Sequence, residues 1–234
     1  MGPLSQTRLP PRARATPRPG PRVGRVSIQS PEPVVHPEGR LVLLRHGETE
    51  WSRTGQHTGT TDVPLTPAGE QAARSLAGAL DGYRFSLVLS SPLQRARRTA
   101  ELAGLSAELD PDLREWDYGA YEGLTTEQIR ADLGYDWTIF EHGVPPGDTP
   151  GESIEDVAAR ASRVVRRAVT AMGSGDVGLV SHGHFLRVLA AVFLRQEPRL
   201  GAQLLLDAGA LCVLEFEREQ PAVRLWNRQA PHAD

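Results

Sequence analysis

Three short apolar runs, each followed by polar residues and a helical stretch, constrain the fold more than any other feature of the chain. They occupy residues 41–44, 85–89 and 177–180. Short apolar runs bounded by turn residues are typical of buried strands. Strands that alternate with helices favour a largely parallel sheet with a helical layer on each face. We therefore predict an α/β fold, a three-layer α/β/α sandwich with a mostly parallel sheet.

Helix-start signals fill the intervals between these runs. Thr66 before Pro67 and Ser91 before Pro92 each combine an N-cap residue with a proline at the first helical position. Residues 141–151 are rich in glycine and proline, which predicts an irregular, mobile loop over one face of the domain. The predicted helices span 67–80, 92–103, 125–133, 153–172 and 184–195, and two further strands are expected near 210–217 and 222–227.

Arginine and histidine side chains follow the three runs at the points where the strands should end. Arg45 and His46 follow the first run, Arg95 lies just after the second, and His182 follows the third. Side chains at the carboxyl ends of parallel strands converge on one crevice. Arg95, in the first turn of a helix, would also lie near free backbone N–H groups. A guanidinium binds an anionic group while a neutral imidazole attacks phosphorus, so the pattern predicts a phosphoryl-transfer site.

The segment 113–123 supplies candidate proton donors for such a site. It is aromatic and acidic, and glycines interrupt it. A loop of this kind can shield a carboxyl group from water and prepare it to protonate a leaving group. Glu115, Asp117 and Glu122 compete for this role.

Composition excludes several classes of function. The 234 residues, 39% of them hydrophobic, suffice for one domain with a buried core. A net charge of -3 does not suggest a nucleic-acid partner. The chain has no lysine, which excludes Schiff-base chemistry, and its single cysteine, Cys212, cannot form an internal disulfide. No run approaches the ~18 apolar residues of a membrane span, so we expect no membrane partner and a cytoplasmic location.

The first 37 residues differ from the rest in being rich in proline, arginine and serine. We predict that residues 1–37 form a disordered tail and that residues 38–230 form the domain. The tail has no apolar stretch of the kind found in secretory signals. An inert extension, a basic arm for anionic partners and an organelle transit peptide remain alternative interpretations.

The order of motifs along the chain resembles that of the histidine phosphatase superfamily, in its phosphoglycerate-mutase-like branch. The resemblance covers about residues 40–228 and implies a three-layer α/β fold and a phosphohistidine intermediate. The matching motifs are Arg45-His46-Gly47-Glu48-Thr49, Ser90-Ser91-Pro92 with Arg95 and Thr99, Leu113-Arg114-Glu115 with Tyr118-Gly119 and Glu122-Gly123, Gly151-Glu152-Ser153, and Ser181-His182-Gly183.

This resemblance implies a role for each matching residue. His46 would be the nucleophile, and Arg45, Arg95 and His182 would form the phosphate pocket around it. Glu115 would be the general acid and later the base that activates water. Further substrate- or phosphate-binding residues would be Ser52, Thr58, Gly59, Ser91, Tyr118 and Gly183. No cofactor and no metal ion is expected.

The charges around His46 predict its protonation state. Arg45 and Arg95 are fixed cations that should lower the pKa of His46 and keep it neutral for attack. His182 can act as a donor or as a cation. The sequence leaves open which ring nitrogen of His46 attacks.

Departures from the mutase pattern favour hydrolysis over transfer. In the mutases, basic residues and a lysine follow the acid, whereas here Glu115 is followed by Trp116 and Asp117, and Thr126 stands at the lysine position. The chain looks closer to sugar-phosphate phosphatases, including the fungal sedoheptulose-bisphosphatase group, and to small actinobacterial acid phosphatases. We predict a metal-independent phosphomonoesterase for small phosphate esters such as sugar phosphates. A cofactor-dependent phosphoglycerate mutase and a non-catalytic phosphate sensor are the alternatives.

Other histidines have competing interpretations. His182 and His184 could hold a metal ion, but zinc needs three or four close ligands and neighbouring arginines would oppose it. His57 and His142 are expected in loops, and His142 could reach substrate if its loop closes. The predicted partner is a small phosphate ester, and a homodimer is one option for assembly.

Overall fold

The computed structural model describes residues 37–229, so the predicted tail lies outside the described residues except for Pro37. Six strands and seven α-helices occur in this part of the chain. The strands are β1 (Leu41–Arg45), β2 (Phe85–Ser90), β3 (Glu108–Leu109), β4 (Asp176–Ser181), β5 (Leu211–Glu217) and β6 (Gln220–Arg228). The helices are α1 (Glu50–Thr54), α2 (Pro67–Leu80), α3 (Gln94–Leu102), α4 (Thr126–Leu133), α5 (Ile139–His142), α6 (Ile154–Met172) and α7 (Gly183–Phe193).

All six strands join one sheet in the order β3-β2-β4-β1-β5-β6. The strands β1 to β4 are parallel to their neighbours among themselves, whereas β5 is antiparallel to β1 and to β6. The three apolar runs are therefore adjacent strands at the centre, and the predicted mostly parallel sheet is confirmed. Strand β3 was not predicted, because its two exposed residues carry no apolar run.

Side chains of the central strands alternate between two hydrophobic cores. Leu41 and Leu43 of β1 pack with buried residues of α6 and α7, whereas Val42 and Leu44 pack with α2 and α3 on the other face. A strand buried on both faces needs apolar residues at every position, which explains the uninterrupted run at 41–44. The predicted three-layer sandwich is confirmed.

Short-range capping explains where most of the helices begin. The Thr66 side chain accepts a hydrogen bond from the Gly69 backbone, with Pro67 at the first helical position. Ser153 and Asp156 form a capping box at the start of α6. Similar capping boxes open α1 and α4. These local signals depend on residues three positions apart, so they are readable from sequence.

The predicted start of α3 is wrong by two residues. The helix begins at Gln94, and Ser91 does not cap it. The Ser91 hydroxyl lies 2.8 Å from the imidazole of His182 and accepts a hydrogen bond of 3.3 Å from the backbone N–H of Leu93, which precedes the helix. Asp62, from a distant loop, instead accepts a hydrogen bond of 2.8 Å from the Gln94 backbone N–H. Arg95 still lies in the first turn of the helix, as predicted.

The loop predicted at 141–151 is regular over its first two residues, which corrects that prediction. Helix α5 continues through His142 because the preceding Ile139 and Phe140 are buried and anchor a single helical turn. Gly143, with a φ of 65°, ends the turn. Residues 143–151 contain no helix or strand.

Parallel register aligns the ends of the three central strands. Arg45 of β1 pairs with Ser181 of β4, and β2 ends beside them. The residues that follow, His46, Ser91 and His182, therefore emerge side by side at the carboxyl edge of the sheet. Ligand sites in open α/β sheets form at this edge.

Candidate active site

Two imidazoles and a guanidinium meet at the carboxyl edge of the sheet. The ring centroids of His46 and His182 are 5.1 Å apart. The Nε of Arg95, in the first turn of α3, lies 3.2 Å from Nδ1 of His182. All three side chains are buried. Residues that are far apart along the chain thus converge in one small volume, as the strand-end pattern predicts.

The hydrogen bonds of His46 identify its free nitrogen. Nδ1 lies 2.7 Å from the carbonyl oxygen of Gly47, which only accepts, so Nδ1 carries the proton in the neutral ring. The lone pair is then on Nε2. Burial lowers the pKa of His46 well below 6.5, and the charges of Arg95 and Arg45 lower it further. The neutral state follows mainly from burial, whereas the sequence argument relied on the two arginines alone.

His182 is held in one tautomer by two partners. Arg95 can only donate, so Nδ1 of His182 accepts, and Nε2 carries the proton toward the Ser91 hydroxyl. Burial, followed by the charge of Arg95, lowers the pKa of His182 well below 6.5. Of the two roles predicted for His182, that of a cation is therefore wrong for the ligand-free site.

Arg45 has an unused donor inside the protein. One of its terminal nitrogens donates to the carbonyl of Leu206, but its Nε has no partner. Within residues 37–229 this is the one buried side-chain nitrogen or oxygen without a hydrogen bond. A buried unpaired donor costs ~1–3 kcal/mol, and an anionic oxygen would satisfy it. A Cβ at position 183 would lie 3.1 Å from the Arg45 guanidinium carbon, so Gly183 leaves space beside it.

Glu115 is held by backbone N–H groups. Its carboxylate accepts hydrogen bonds from Trp116, at 2.9 Å, and from His184 and Phe185, at 3.0 and 2.8 Å. The last two belong to the first turn of α7, where the helix dipole favours an anion. The side chain is buried but still faces the same cavity as His46.

The two competing carboxylates are used elsewhere. Asp117 accepts from the Gly119 backbone and the Thr149 hydroxyl, which shapes its own loop. Glu122 accepts from the backbone N–H groups of Gly59 and Thr61, each at 3.0 Å. Neither lines the cavity that contains His46. Of the three candidate carboxyl groups, the geometry therefore favours Glu115 as the one that can meet a ligand beside His46.

The cavity at this edge measures about 620 Å³ including its open mouth, which suits a small ligand. Seven predicted site residues line it, and four lie elsewhere. Arg95, His182 and Ser91 are fully buried behind the cavity wall, and Gly59 lines a second cavity that shares Glu115. The seven lining residues are Arg45, His46, Ser52, Thr58, Glu115, Tyr118 and Gly183.

Arg95 holds the loop that forms part of the cavity wall. Its terminal nitrogens donate to the carbonyls of Thr61, Thr58 and Gly59, at 2.9, 3.0 and 3.1 Å. Together with the bond to His182, these contacts use four of the five N–H groups of the guanidinium. In the ligand-free site Arg95 therefore fixes residues 58–61. Its positive charge acts on the cavity from a buried position behind the cavity wall.

Comparison with known proteins identifies the family. The family model of the histidine phosphatase superfamily (branch 1) matches residues 41–229. The chain belongs to this superfamily. The match includes every element of the sheet and every residue of the candidate site.

Named relatives of the chain include phosphatases of a mycobacterium and a yeast. It is 43% identical over 182 residues to an acid phosphatase of Mycobacterium tuberculosis, covering 76% of this chain and 87% of that protein. It is 35% identical to sedoheptulose 1,7-bisphosphatase of Saccharomyces cerevisiae, covering 66% of this chain and 67% of that one. A solved structure of an open reading frame product from M. tuberculosis superposes with a TM-score of 0.77 at 38% identity, covering 83% and 100% of the two chains.

Four further polar side chains line the cavity and were not predicted as site residues: Gln56, His57, His184 and Arg187. His57 follows the predicted pocket segment at Ser52 and adjoins Thr58, so its position in the chain was a usable signal. Arg187 lies one helical turn beyond His184 on α7, which places both on one face.

Three side chains that line this part of the cavity, Tyr118, His184 and His57, contact one another. The hydroxyl of Tyr118 lies 2.6 Å from Nδ1 of His184, and the rings of His57 and Tyr118 are 4.7 Å apart. Burial lowers the pKa of His184 well below 6.5 and raises that of Tyr118 well above 10. Both side chains are therefore neutral. His142 is exposed and does not line the cavity.

Residues 37–229 contain neither a cluster of metal-ligating side chains nor a membrane-spanning helix. No group of three or more His, Cys, Asp or Glu side chains there is arranged to hold a metal ion. No helix in the same range is long and apolar enough to cross a bilayer.

The buried histidines predict that acid weakens the folded state. Burial lowers the pKa of His57 from 6.5 to about 4. Between these values the unfolded chain binds the proton and the folded chain does not, so stability falls as pH falls through this window. For His57 alone, we expect a loss of about 2 kcal/mol in unfolding free energy between pH 7.5 and pH 5.

Urea unfolding at the two pH values measures this loss, with His57→Gln as the comparison. The variant removes one titrating group and should lose ~2 kcal/mol less than the wild type over the same interval. An equal loss in both proteins would show that His57 is protonated in the folded state as readily as in the unfolded one.

Proposed function

We propose that this protein is a metal-independent phosphomonoesterase that hydrolyses small phosphate esters through a phosphohistidine at Nε2 of His46. One observation carries the proposal. A neutral imidazole with a free Nε2, an unpaired donor of Arg45 and the Glu115 carboxyl group face a single cavity. These are a nucleophile, an anion-binding group and a proton donor for phosphoryl transfer.

In the first half-reaction the phosphoryl group moves to His46. The lone pair of Nε2 forms a bond to phosphorus as the bond from phosphorus to the ester oxygen breaks. Glu115, in its protonated form, gives its proton to that oxygen, so the leaving group departs as a neutral alcohol. Arg45 and Arg95 stabilise the charge spread over the equatorial oxygens of the transition state.

In the second half-reaction water takes the phosphoryl group. The Glu115 carboxylate now accepts a proton from water, whose oxygen attacks phosphorus while the bond to Nε2 breaks. Inorganic phosphate leaves, and His46 returns to its neutral form. Glu115 regains the proton that it lost in the first half-reaction, so the cycle closes.

The other polar residues that line the cavity favour a substrate with a hydroxyl-rich leaving group. Gln56, His57, Tyr118 and His184 provide neutral polar groups there, and Arg187 adds one cation. Neutral donors and acceptors suit the hydroxyls of a sugar. The relatives named as an acid phosphatase and a sedoheptulose bisphosphatase also support a phosphatase, and the name of the second supports sugar phosphates as substrates. A cytoplasmic location and a homodimer stay predictions from the sequence.

A panel of phosphate esters tests the proposal. Phosphate release is measured on sugar phosphates, glycerate phosphates, nucleotides and a phosphoprotein, with and without chelator. We expect turnover that is highest on sugar phosphates and unaffected by chelator. A denaturing quench at alkaline pH with labelled substrate should leave label on the protein that is stable in alkali and lost in acid.

Two results would contradict the proposal. Isomerisation of 3-phosphoglycerate that is stimulated by 2,3-bisphosphoglycerate, without net phosphate release, would identify a mutase. Phosphate binding with no turnover across the panel would identify an anion sensor.

A further inference from the structure

The buried Arg160 and the half-buried Glu152 form an ion pair that the proposed chemistry does not use. Arg160, on α6, is only 8% exposed. Its Nε and Nη2 donate to the two carboxylate oxygens of Glu152, at 2.7 and 2.8 Å. Its guanidinium also lies 4.9 Å from the ring of Phe185, whose backbone N–H binds the Glu115 carboxylate.

The remaining donors of Arg160 reach the backbone that leads into Glu115. They bind the carbonyls of Asp112, Arg114 and Glu115, at 2.6, 3.1 and 3.3 Å. One guanidinium therefore fixes three carbonyls, two that precede the proposed acid and that of the acid itself. Such a fork of five donors is available only in arginine.

Glu152 holds the C-terminal side of the same segment. Its carboxylate accepts from the Asp117 backbone at 3.0 Å, and its own backbone N–H donates to the Asp117 carbonyl at 3.0 Å. Its carbonyl accepts from the indole of Trp116 at 2.8 Å. Residues 114–118 contain neither helix nor strand, so these contacts take the place of a regular backbone ladder around Glu115.

We propose that Arg160 and Glu152 are positioning residues that fix Glu115 relative to the leaving-group oxygen. They touch no reacting atom and act through the backbone on both sides of the acid. The inference rests on the proposed function, because it assigns Glu115 as the proton donor. A displacement of about 1 Å in a catalytic group can lower a rate by ~100-fold. Loss of the contacts of Arg160 or Glu152 should therefore slow protonation of the leaving group.

The test separates positioning from general stability. Glu152→Gln keeps the shape of the side chain but removes its charge, and Arg160→Lys keeps the charge but removes the fork. We expect each variant to lower kcat/KM for an alkyl phosphate by about 10- to 100-fold. The value of kcat/KM for nitrophenyl phosphate reports the first half-reaction, in which its leaving group needs no proton, and should change much less.

Arg163→Gln is the matched control. Arg163 lies one turn along α6 and binds the Asp112 side chain at 2.7 Å on the surface, with no contact to Glu115. It should leave the ratio of the two rates unchanged. A fall of both rates by the same factor in Glu152→Gln and Arg160→Lys would overturn the proposal, since this is the result of a structural defect.

A double variant distinguishes failure of this inference from failure of the proposed function. In a Glu115→Gln background, Glu152→Gln should lower the rate on the alkyl phosphate little further, because the acid that Glu152 positions is no longer present. If the rate losses of the two single variants multiply in the double variant, the positioning role is wrong. If Glu115→Gln alone shows no dependence on the leaving group, the assignment of the acid is wrong, and with it this inference.

Discussion

Replacing His46 by alanine is expected to lower phosphate release from every substrate by a factor of at least ~10³. The variant lacks the imidazole whose free Nε2 is the proposed phosphoryl acceptor in the cavity that Arg45 also lines. Without it, the phosphoryl group has no acceptor in the first half-reaction. Initial rates on the best substrate of the panel, with the amount of label trapped by an alkaline denaturing quench, give the measurement.

His142→Ala is the matched control for this experiment. His142 is exposed at the end of α5 and does not line the cavity. It should retain the activity of the wild type and the same amount of trapped label. If His46→Ala keeps more than about a tenth of the activity, the covalent mechanism at His46 is excluded.

Glu115→Gln is expected to separate substrates by the quality of their leaving groups. An alkyl phosphate should be slowed by ~10²–10⁴, the usual contribution of a general acid, because the departing alkoxide must be protonated. Nitrophenyl phosphate should be slowed far less in the first half-reaction, because nitrophenolate leaves without a proton. Comparison of kcat/KM on the two substrates isolates this step.

Asp117→Asn tests the neighbouring carboxylate in the same assay. Asp117 faces its own loop, where it binds Gly119 and Thr149, and should show no preference between the two substrates. If Asp117→Asn gives the split and Glu115→Gln slows both substrates equally, the acid has been assigned to the wrong residue.

The parts of the fold that were predictable depend on signals within a few residues. Uninterrupted apolar runs identified the central strands, and cap residues identified most helix starts. The start of helix α3 could not be predicted in this way, because its first N–H group is bound by Asp62, about thirty residues away. Helix α5 could not be predicted either, because its single turn is fixed by the burial of Phe140 and not by local sequence signals.

The candidate site divides in the same way. Parallel strands bring their ends together whatever the loops do, so His46 and His182 could be placed in advance. The contacts of Arg95 to residues 58–61 could not be, since they depend on how that loop folds over α3. The wall of His57 and His184 likewise depends on packing between segments that are far apart in the chain.

The place of β1 in the sheet has a consequence for biosynthesis. Its two neighbours, β4 and β5, are both translated more than 130 residues after it. The carbonyl that binds Arg45 belongs to Leu206, close to the end of the domain. Contacts between such distant segments form late in folding. A nascent chain therefore contains His46 from early on, but it completes the candidate site only when the segment from Leu206 through β5 has left the ribosome.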